Sequence, residues 1–228
     1  MNIWRIANPF DLRFAQAGLR GTWQPGTEAT TCPDCGSTRY GRISPLTVEW
    51  EEGSDIIGDF TWVSPGQDVL IKATVFDQLH IHCSGFISRP VKMIHTSNVK
   101  ALGTKVRLPY QGPMIYELWI TSRVHVDRRK SSMSVVAQCK SCGNVGYKVQ
   151  DVEVKKHVWN KRHGALEELQ LPRTPGKGLY IPESDVDGID IFRVDEFPAW
   201  IFCRDTVKDF ITNQGFTNIN FLEYGELF

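Results

Sequence analysis

The spacing of apolar residues predicts a strand–helix–strand segment in the first half of the chain. Val69, Ala73 and Phe76 lie at the i, i+4, i+7 spacing of one helix face, which predicts a helix from about Gln67 to Leu79. A short strand precedes this helix, and a strand from about Phe86 to Ile94 follows it. A βαβ-like unit is therefore expected here.

The C-terminal end of the chain shows the same order of elements. A short strand begins at Trp200, as the first unit begins at Trp62, and a helix with Val207 and Ile211 on one face follows. Gly215 ends this helix as a left-handed C-cap, and a further strand completes the segment. The two segments predict a degenerate repeat of a βαβ-like unit.

Most of the remaining chain has the pattern of β-strands. VGYKVQDVEVKKHVW alternates apolar and polar residues, while TVEWEE and MIYELWI are rich in β-branched and aromatic residues. RHGALEELQL is predicted to contain a short helix, and the Pro/Gly-rich run at about 171–178 is predicted to be a linker. The predicted fold class is therefore α+β, strand-rich overall.

Composition is typical of a soluble globular protein. Of 228 residues, 41% are apolar and 23% are charged, and no run reaches the length of a membrane helix. The N-terminus, MNIWRIANPFDLRF, lacks a basic region followed by an apolar run, so no signal peptide is expected. These features predict a cytoplasmic protein with no membrane segment, in which paired cysteines bind metal or carry out redox chemistry.

Two short motifs, CPDCG at 32–36 and CKSCG at 139–143, carry the strongest chemical signal. Zinc prefers four ligands in a tetrahedron, and a Cys-x-x-Cys turn offers two thiolates from one loop. The glycine after each pair accepts the left-handed backbone that a turn around a metal requires. The motifs predict one structural Zn²⁺ per chain, held by Cys32, Cys35, Cys139 and Cys142.

Other interpretations of these motifs stay open. A thioredoxin-like CxxC lies at a helix start after a strand, whereas both motifs here lie between predicted strands. An iron–sulfur cluster, or a site that has lost its metal, also fits the spacing. His80, His82 and Cys83 form a weaker metal candidate, predicted on a strand, while Cys83 and Cys203 are expected to be buried apolar residues.

The distance between the half-sites predicts an insertion. Compact zinc ribbons separate their half-sites by about 15 to 20 residues, whereas Cys35 and Cys139 are 104 positions apart in this chain. We therefore predict a zinc-ribbon-like domain over residues 1–170, with an insertion at about 51–115 that holds the first βαβ-like unit. Residues 171–228 form the second unit, packed on that domain.

No catalytic set is evident in the sequence. G-x-S-x-G, P-loop, G-x-G-x-x-G and HExxH motifs are absent. An enzyme is therefore not expected.

The paired CxxCG motifs, with the tail GIDIFRV…WIFCRDTVKDFITNQGFTNINF, resemble the double-CXXCG family of paralogous proteins from myxobacteria. That family includes immunity proteins of the swarm-inhibition (Sit) toxin systems. The resemblance implies a protein that binds one cognate toxin and neutralises it. Only the four cysteines carry over as motif positions.

Charge is unevenly spread, which bears on the partner surface. Residues 183–228 hold ten acidic and three basic residues, although the whole chain has zero net charge. An acidic segment would suit a basic toxin such as a nuclease. The predicted partner surface consists of Glu183, Asp185, Asp187, Asp190, Asp195 and Glu196.

The alternative function is that of a nucleic-acid-binding zinc ribbon. Basic residues surround the second motif, and phosphate binding needs such clusters. The acidic C-terminal region opposes this alternative because it would repel a nucleic acid. The basic residues are Arg123, Arg128, Arg129, Lys130, Lys155, Lys156, Lys161 and Arg162.

Overall fold

The computed structural model describes residues 1–19, 27–42, 45–64, 68–94, 103–153, 155–160 and 165–228. Within these ranges the fold is α+β and strand-rich, with two α-helices, α1 (Ala73–His82) and α2 (Asp205–Gln214). A 3-10 helix covers Glu183–Val186.

The strands are β1 (Asn2–Ala7), β2 (Ala17–Leu19), β3 (Thr27–Thr31), β4 (Thr38–Arg42), β5 (Leu46–Trp50), β6 (Phe60–Ser64), β7 (Asp68–Lys72), β8 (Phe86–Ile94), β9 (Ile115–Ile120), β10 (Arg123–Val124), β11 (Met133–Gln138), β12 (Val145–Val149), β13 (Lys155–Asn160), β14 (Ala165–Gln170), β15 (Leu179–Ile181), β16 (Ile191–Val194), β17 (Phe197–Arg204) and β18 (Asn220–Leu227).

Two large β structures organise these elements. One is a closed barrel in the order β2-β5-β8-β9-β7-β6, and the other is a six-stranded sheet in the order β10-β16-β17-β1-β18-β15. Three further pairs, β3–β4, β11–β12 and β13–β14, form separate two-stranded sheets. The barrel interior is filled by apolar side chains that include Leu46, Val48, Trp50, Val63 and Leu70.

A similar strand–helix–strand arrangement occurs in both large structures. In the barrel, β7 and β8 flank α1 in sequence, and β9 lies between them, antiparallel to both. In the six-stranded sheet, β17 and β18 flank α2, and β1 lies between them, antiparallel to both. In each unit the helix therefore connects two parallel strands that are separated by one antiparallel strand.

The two units pack against each other through one apolar core. Phe76 and Leu79 of α1 and Val207 and Ile211 of α2 belong to the same buried cluster. Successive side chains of a strand point to opposite faces, so strand β7 contributes to two cores. Val69 and Ile71 join this cluster, while Leu70 faces the barrel interior.

A hydrogen bond also joins the two units. The indole N–H of Trp62 donates to the carbonyl oxygen of Asn218 at 3.0 Å. Within the described chain, no helix is long and apolar enough to cross a membrane.

The predicted helix from Gln67 to Leu79 was wrong at its N-terminal end. Asp68–Lys72 is strand β7, and the helix begins at Ala73. Val69, Leu70 and Ile71 form a continuous buried run, as expected for a strand covered on both faces, and this burial overrides the helical spacing. The strand predicted at Phe86–Ile94 is confirmed.

The short helix predicted in RHGALEELQL was also wrong. Ala165–Gln170 is strand β14, paired antiparallel with β13 along its whole length. Ladder hydrogen bonds to β13 therefore outweigh the helix propensity of the Leu and Glu residues. The preceding residues 161–164 lie outside the described residues.

The predicted linker is held against the six-stranded sheet. The guanidinium of Arg173, whose side chain is 4% exposed, contacts carboxylates of Glu223 and Glu226 on β18. Strand β1 pairs with β17 and β18, so the sheet joins strands from both sides of residue 171. The division into residues 1–170 and 171–228 stays a prediction.

Candidate metal centre

Each CxxCG motif forms a tight turn at the tip of a β-hairpin. In the first, which connects β3 and β4, the N–H of Gly36 donates to the carbonyl oxygen of Cys32 at 2.9 Å. In the second, which connects β11 and β12, the N–H of Gly143 donates to the carbonyl oxygen of Cys139 at 3.0 Å. The two motifs thus adopt equivalent turns, here called the first and second knuckles.

The glycines have the backbone conformation expected from the sequence. The φ angle is 67° at Gly36 and 70° at Gly143, in the left-handed region that glycine adopts without a steric penalty. Each glycine lets the chain turn back after its second cysteine and enter the returning strand. Both cysteines of a knuckle can therefore point to one side of the hairpin tip.

The structure brings all four predicted cysteines together. Their sulfur atoms lie within 4.8 Å of one another. The Sγ atoms of Cys32 and Cys139 are 3.8 Å apart, and those of Cys35 and Cys142 are 3.7 Å apart. Ligands about 2.3 Å from a tetrahedral zinc ion would be about 3.8 Å apart. The cluster thus has the donor atoms and dimensions of a four-thiolate metal site.

Backbone amides lower the pKa of the first cysteine in each knuckle. The N–H groups of Cys35 and Asp34 favour the Cys32 thiolate and lower its pKa. At the second knuckle, the N–H groups of Cys142 and Ser141 lower the pKa of Cys139 to about 6. Because a metal binds the thiolate, these amides prepare both sulfur atoms as ligands.

The pKa of Cys35 moves the other way. The N–H of Ser37 lowers it, but desolvation and hydrogen bonds to the other three thiols outweigh that effect and raise the pKa to about 12. Four thiolates cannot gather in one place without a neutralising charge, which a divalent cation would supply.

A polar contact between the knuckles was not predicted. The hydroxyl of Ser141 donates to the carboxylate of Asp34, and both residues are exposed. They occupy the same position in their motifs, immediately before the second cysteine. The only sequence signal for this contact is that shared position, which becomes informative once the two knuckles are known to face each other.

The weaker metal candidate is placed differently from its prediction. His80 and His82 lie on α1 rather than on a strand, because the helix continues to His82. The His80 ring stacks on Phe76 at 5.4 Å, and the His82 ring lies 4.8 Å from that of Phe210. Within the described residues, only the four knuckle cysteines form a group that could hold a metal ion.

The two remaining cysteines lie close to the main core. Cys203 is fully buried, as predicted, and Cys83 is partly buried beside the same apolar cluster. Desolvation, followed by the nearby charge of Asp190, raises the pKa of Cys83 to about 11. Desolvation also raises the pKa of Cys203 well above its usual value, so neither cysteine has the electrostatic surroundings of a reactive thiolate.

The acidic segment predicted as a partner surface is divided by the fold. Asp190 accepts hydrogen bonds from the N–H and hydroxyl of Ser84 at 2.9 and 3.0 Å. Glu196, whose side chain is 1% exposed, contacts Arg128 at 2.9 Å. Glu183, Asp185 and Asp187 are exposed, and Asp195 contacts Arg123 and His125. Partner binding by this segment stays a prediction.

Part of the basic cluster is engaged within the protein. Arg123 lies 3.3 Å from Asp195, Arg128 pairs with Glu196, and the Lys130 ammonium lies 3.2 Å from the centre of the Phe228 ring. Arg129 is exposed. The side chains of Lys155 and Lys156, and the whole of Lys161 and Arg162, lie outside the described residues.

Neither protein-family models nor curated proteins give a match to this chain. The likeness to the double-CXXCG family therefore rests on the two CxxCG motifs and the C-terminal tail alone.

Proposed function

We propose that Cys32, Cys35, Cys139 and Cys142 hold one structural zinc ion that fastens the two knuckles together. The convergence of the four sulfur atoms within 4.8 Å carries this proposal. Four cysteines complete a tetrahedron and leave no open position for a substrate, as in structural zinc sites. Zinc, when bound, supplies a cross-link between segments more than a hundred residues apart in sequence.

We further propose that the protein is an immunity protein that binds and neutralises a cognate bacterial toxin. The resemblance to the double-CXXCG family supports this function, and the cysteines of both CxxCG motifs on which it rests form one cluster. Neutralisation by binding needs a rigid scaffold and a complementary surface, but no catalytic residues.

A protection assay tests the immunity function. Each gene flanking the one that encodes this chain is expressed in a heterologous bacterium, with and without the chain, and growth is measured. We expect one flanking product to arrest growth, and co-expression of the chain to restore growth through a stable complex recovered by gel filtration. Protection against none of the flanking products would contradict the function.

The nucleic-acid alternative predicts a different measurement. A binder of phosphates would shift a DNA or RNA fragment, with an affinity that falls steeply as salt increases. The ion pairs of Arg123 and Arg128 with acidic residues leave fewer cations available for phosphate. We therefore expect no salt-dependent shift.

A further inference from the structure

Two neighbouring loops expose three large apolar side chains. Phe10 is 79% exposed, Leu12 is 83% exposed and Ile56 is 59% exposed. We call this surface, formed by residues 8–15 and 51–57, the apolar tip. Large apolar side chains exposed together on adjoining loops can mark an interaction site.

Hydrogen bonds join the two loops into one surface. The N–H of Ala15 donates to the carbonyl oxygen of Ile56 at 2.7 Å. The hydroxyl of Ser54 donates to the carbonyl oxygen of Arg13 at 2.7 Å. The loops therefore present their apolar side chains from a shared backbone frame.

The loop that carries Phe10 and Leu12 is held in a defined shape. Phe10 has a φ of 53°, an uncommon value for a bulky residue, and its N–H donates to the Asn8 side chain at 2.8 Å. The N–H of Phe14 donates to the carbonyl oxygen of Asp11 at 3.1 Å, which closes a turn around Leu12. Such preorganisation reduces the entropy lost when an exposed aromatic residue docks into a partner.

Charge around the apolar tip favours a basic partner. The apolar tip, residues 8–15 and 51–57, holds four acidic residues and one basic residue, a net charge of −3. The N–H of Gly53 donates to the carbonyl oxygen of Thr104 at 2.8 Å, and Lys105 and Arg107 in this adjoining segment bring the combined net charge to −1. Residues 50–56 contain three carboxylates and no cation.

We propose that the apolar tip is the docking surface for the toxin, an inference that rests on the proposed immunity function. The complementary surface of the toxin is an apolar pocket with lysine and arginine residues at its rim. A second copy of this chain fits less well, because two acidic tips would repel each other. Phe10 and Leu12 are the expected anchors.

Binding affinity tests this surface directly. The probe is the flanking-gene product that the chain protects against, and its Kd is measured by calorimetry against the wild type and F10N/L12S. Asparagine tolerates positive φ, so this variant removes apolar surface without straining the loop. We expect binding at least about 30-fold weaker, as for loss of an interface hot spot.

The matched control is Met114→Ser, which removes an apolar side chain that is 63% exposed outside these two loops. We expect wild-type affinity for this control. If F10N/L12S also bound within about twofold of the wild type, the apolar tip would be excluded while the immunity function stood. Failure of the wild type to bind any flanking product would contradict both the docking surface and the immunity function.

Amide hydrogen exchange locates the interface independently. In the complex we expect slower exchange in residues 8–15 and 51–57. Protection confined to the acidic segment 183–196 would overturn the docking surface and would favour that segment instead.

Discussion

The Sγ atom of Cys35 lies 3.7 Å from that of Cys142, although 107 positions separate the two residues. Cys32 and Cys139 have the same sequence separation and lie 3.8 Å apart. Equivalent cysteines of the two knuckles therefore face each other. The wide gap in sequence is accommodated by two hairpins whose tips meet, so one site, rather than two separate motifs, accounts for both CxxCG sequences.

Loss of one cysteine should strongly reduce metal binding. In Cys35→Ser or Cys142→Ser, three thiolates remain and the tetrahedron is incomplete. We expect about one equivalent of zinc per chain in freshly reduced wild type, and under half an equivalent in either variant. Plasma mass spectrometry of the purified proteins provides the measurement.

The matched control for metal content is Cys83→Ser, since Cys83 lies beside the apolar core and outside the cysteine cluster. It should retain the zinc content of the wild type. Iron with a visible absorption band in the reduced wild type would indicate a cluster of iron and sulfide and would contradict the zinc centre.

The cysteine cluster was predictable because its determinants are local. A Cys-x-x-Cys-Gly sequence fixes both the ligand spacing and the left-handed glycine, and Gly36 and Gly143 have that conformation. Pairing of the two motifs followed from the ligand number that zinc requires. The contact between Asp34 and Ser141 was not predicted because it depends on how the two knuckles face each other.

The barrel and the sheet were not predictable from local pattern. In each strand–helix–strand unit, the central strand comes from a distant part of the sequence: β9 lies between β7 and β8, and β1 lies between β17 and β18. Alternation identifies a strand but does not name its partner. The predicted start of α1 was wrong because burial on both faces makes residues 68–72 a strand. That burial depends on the same distant partner strands.

Knuckle conformation can be tested at Gly143. A side chain there meets no atom within 4 Å, so the cost of Gly143→Ala comes from the left-handed backbone alone. We expect Gly143→Ala to lower the free energy of unfolding by about 1–2 kcal/mol. Gly143→Asn should lower it by less because asparagine tolerates this conformation. Chemical denaturation measures the stability of both variants, and competition with a chelating dye measures their affinity for zinc. Equal losses in the two variants would contradict the backbone explanation.

Asp59 should make stability depend on acid pH. Its carboxylate accepts hydrogen bonds from the N–H and hydroxyl of Thr217, both at 2.8 Å, and from Lys72 at 3.1 Å. Desolvation raises the pKa of Asp59, but these donors lower it by a larger amount, so the pKa lies below its usual value. The stabilisation is therefore complete above the unfolded-state pKa of about 4 and is lost as pH falls through the folded-state pKa.

The variant Asp59→Asn tests this contribution. At pH 7 we expect the free energy of unfolding to fall by about 1.5–3 kcal/mol, as for hydrogen bonds to a charged group. Below about pH 4 we expect the difference in unfolding free energy between the variant and the wild type to become smaller. Urea denaturation at several pH values provides the measurement. Asp209→Asn, at a carboxylate that is 63% exposed, should have little effect at any pH. A constant difference between wild type and Asp59→Asn down to pH 2 would contradict the assignment.

Zinc removal should loosen the two knuckle hairpins unequally. Among the described strands, β3 pairs only with β4, and β11 pairs only with β12, and an isolated two-stranded hairpin is marginally stable. The second hairpin has additional support, since Val149 is buried in a core cluster and Met133 and Tyr147 pack against it. After chelation we therefore expect faster amide exchange over residues 27–42 and at the second knuckle, while the base of the 133–149 hairpin stays protected. Exchange monitored by mass spectrometry resolves these segments. Unchanged exchange over 27–42 would show that the metal does not hold the first hairpin, whereas faster exchange throughout the barrel and sheet would show that zinc supports the whole fold.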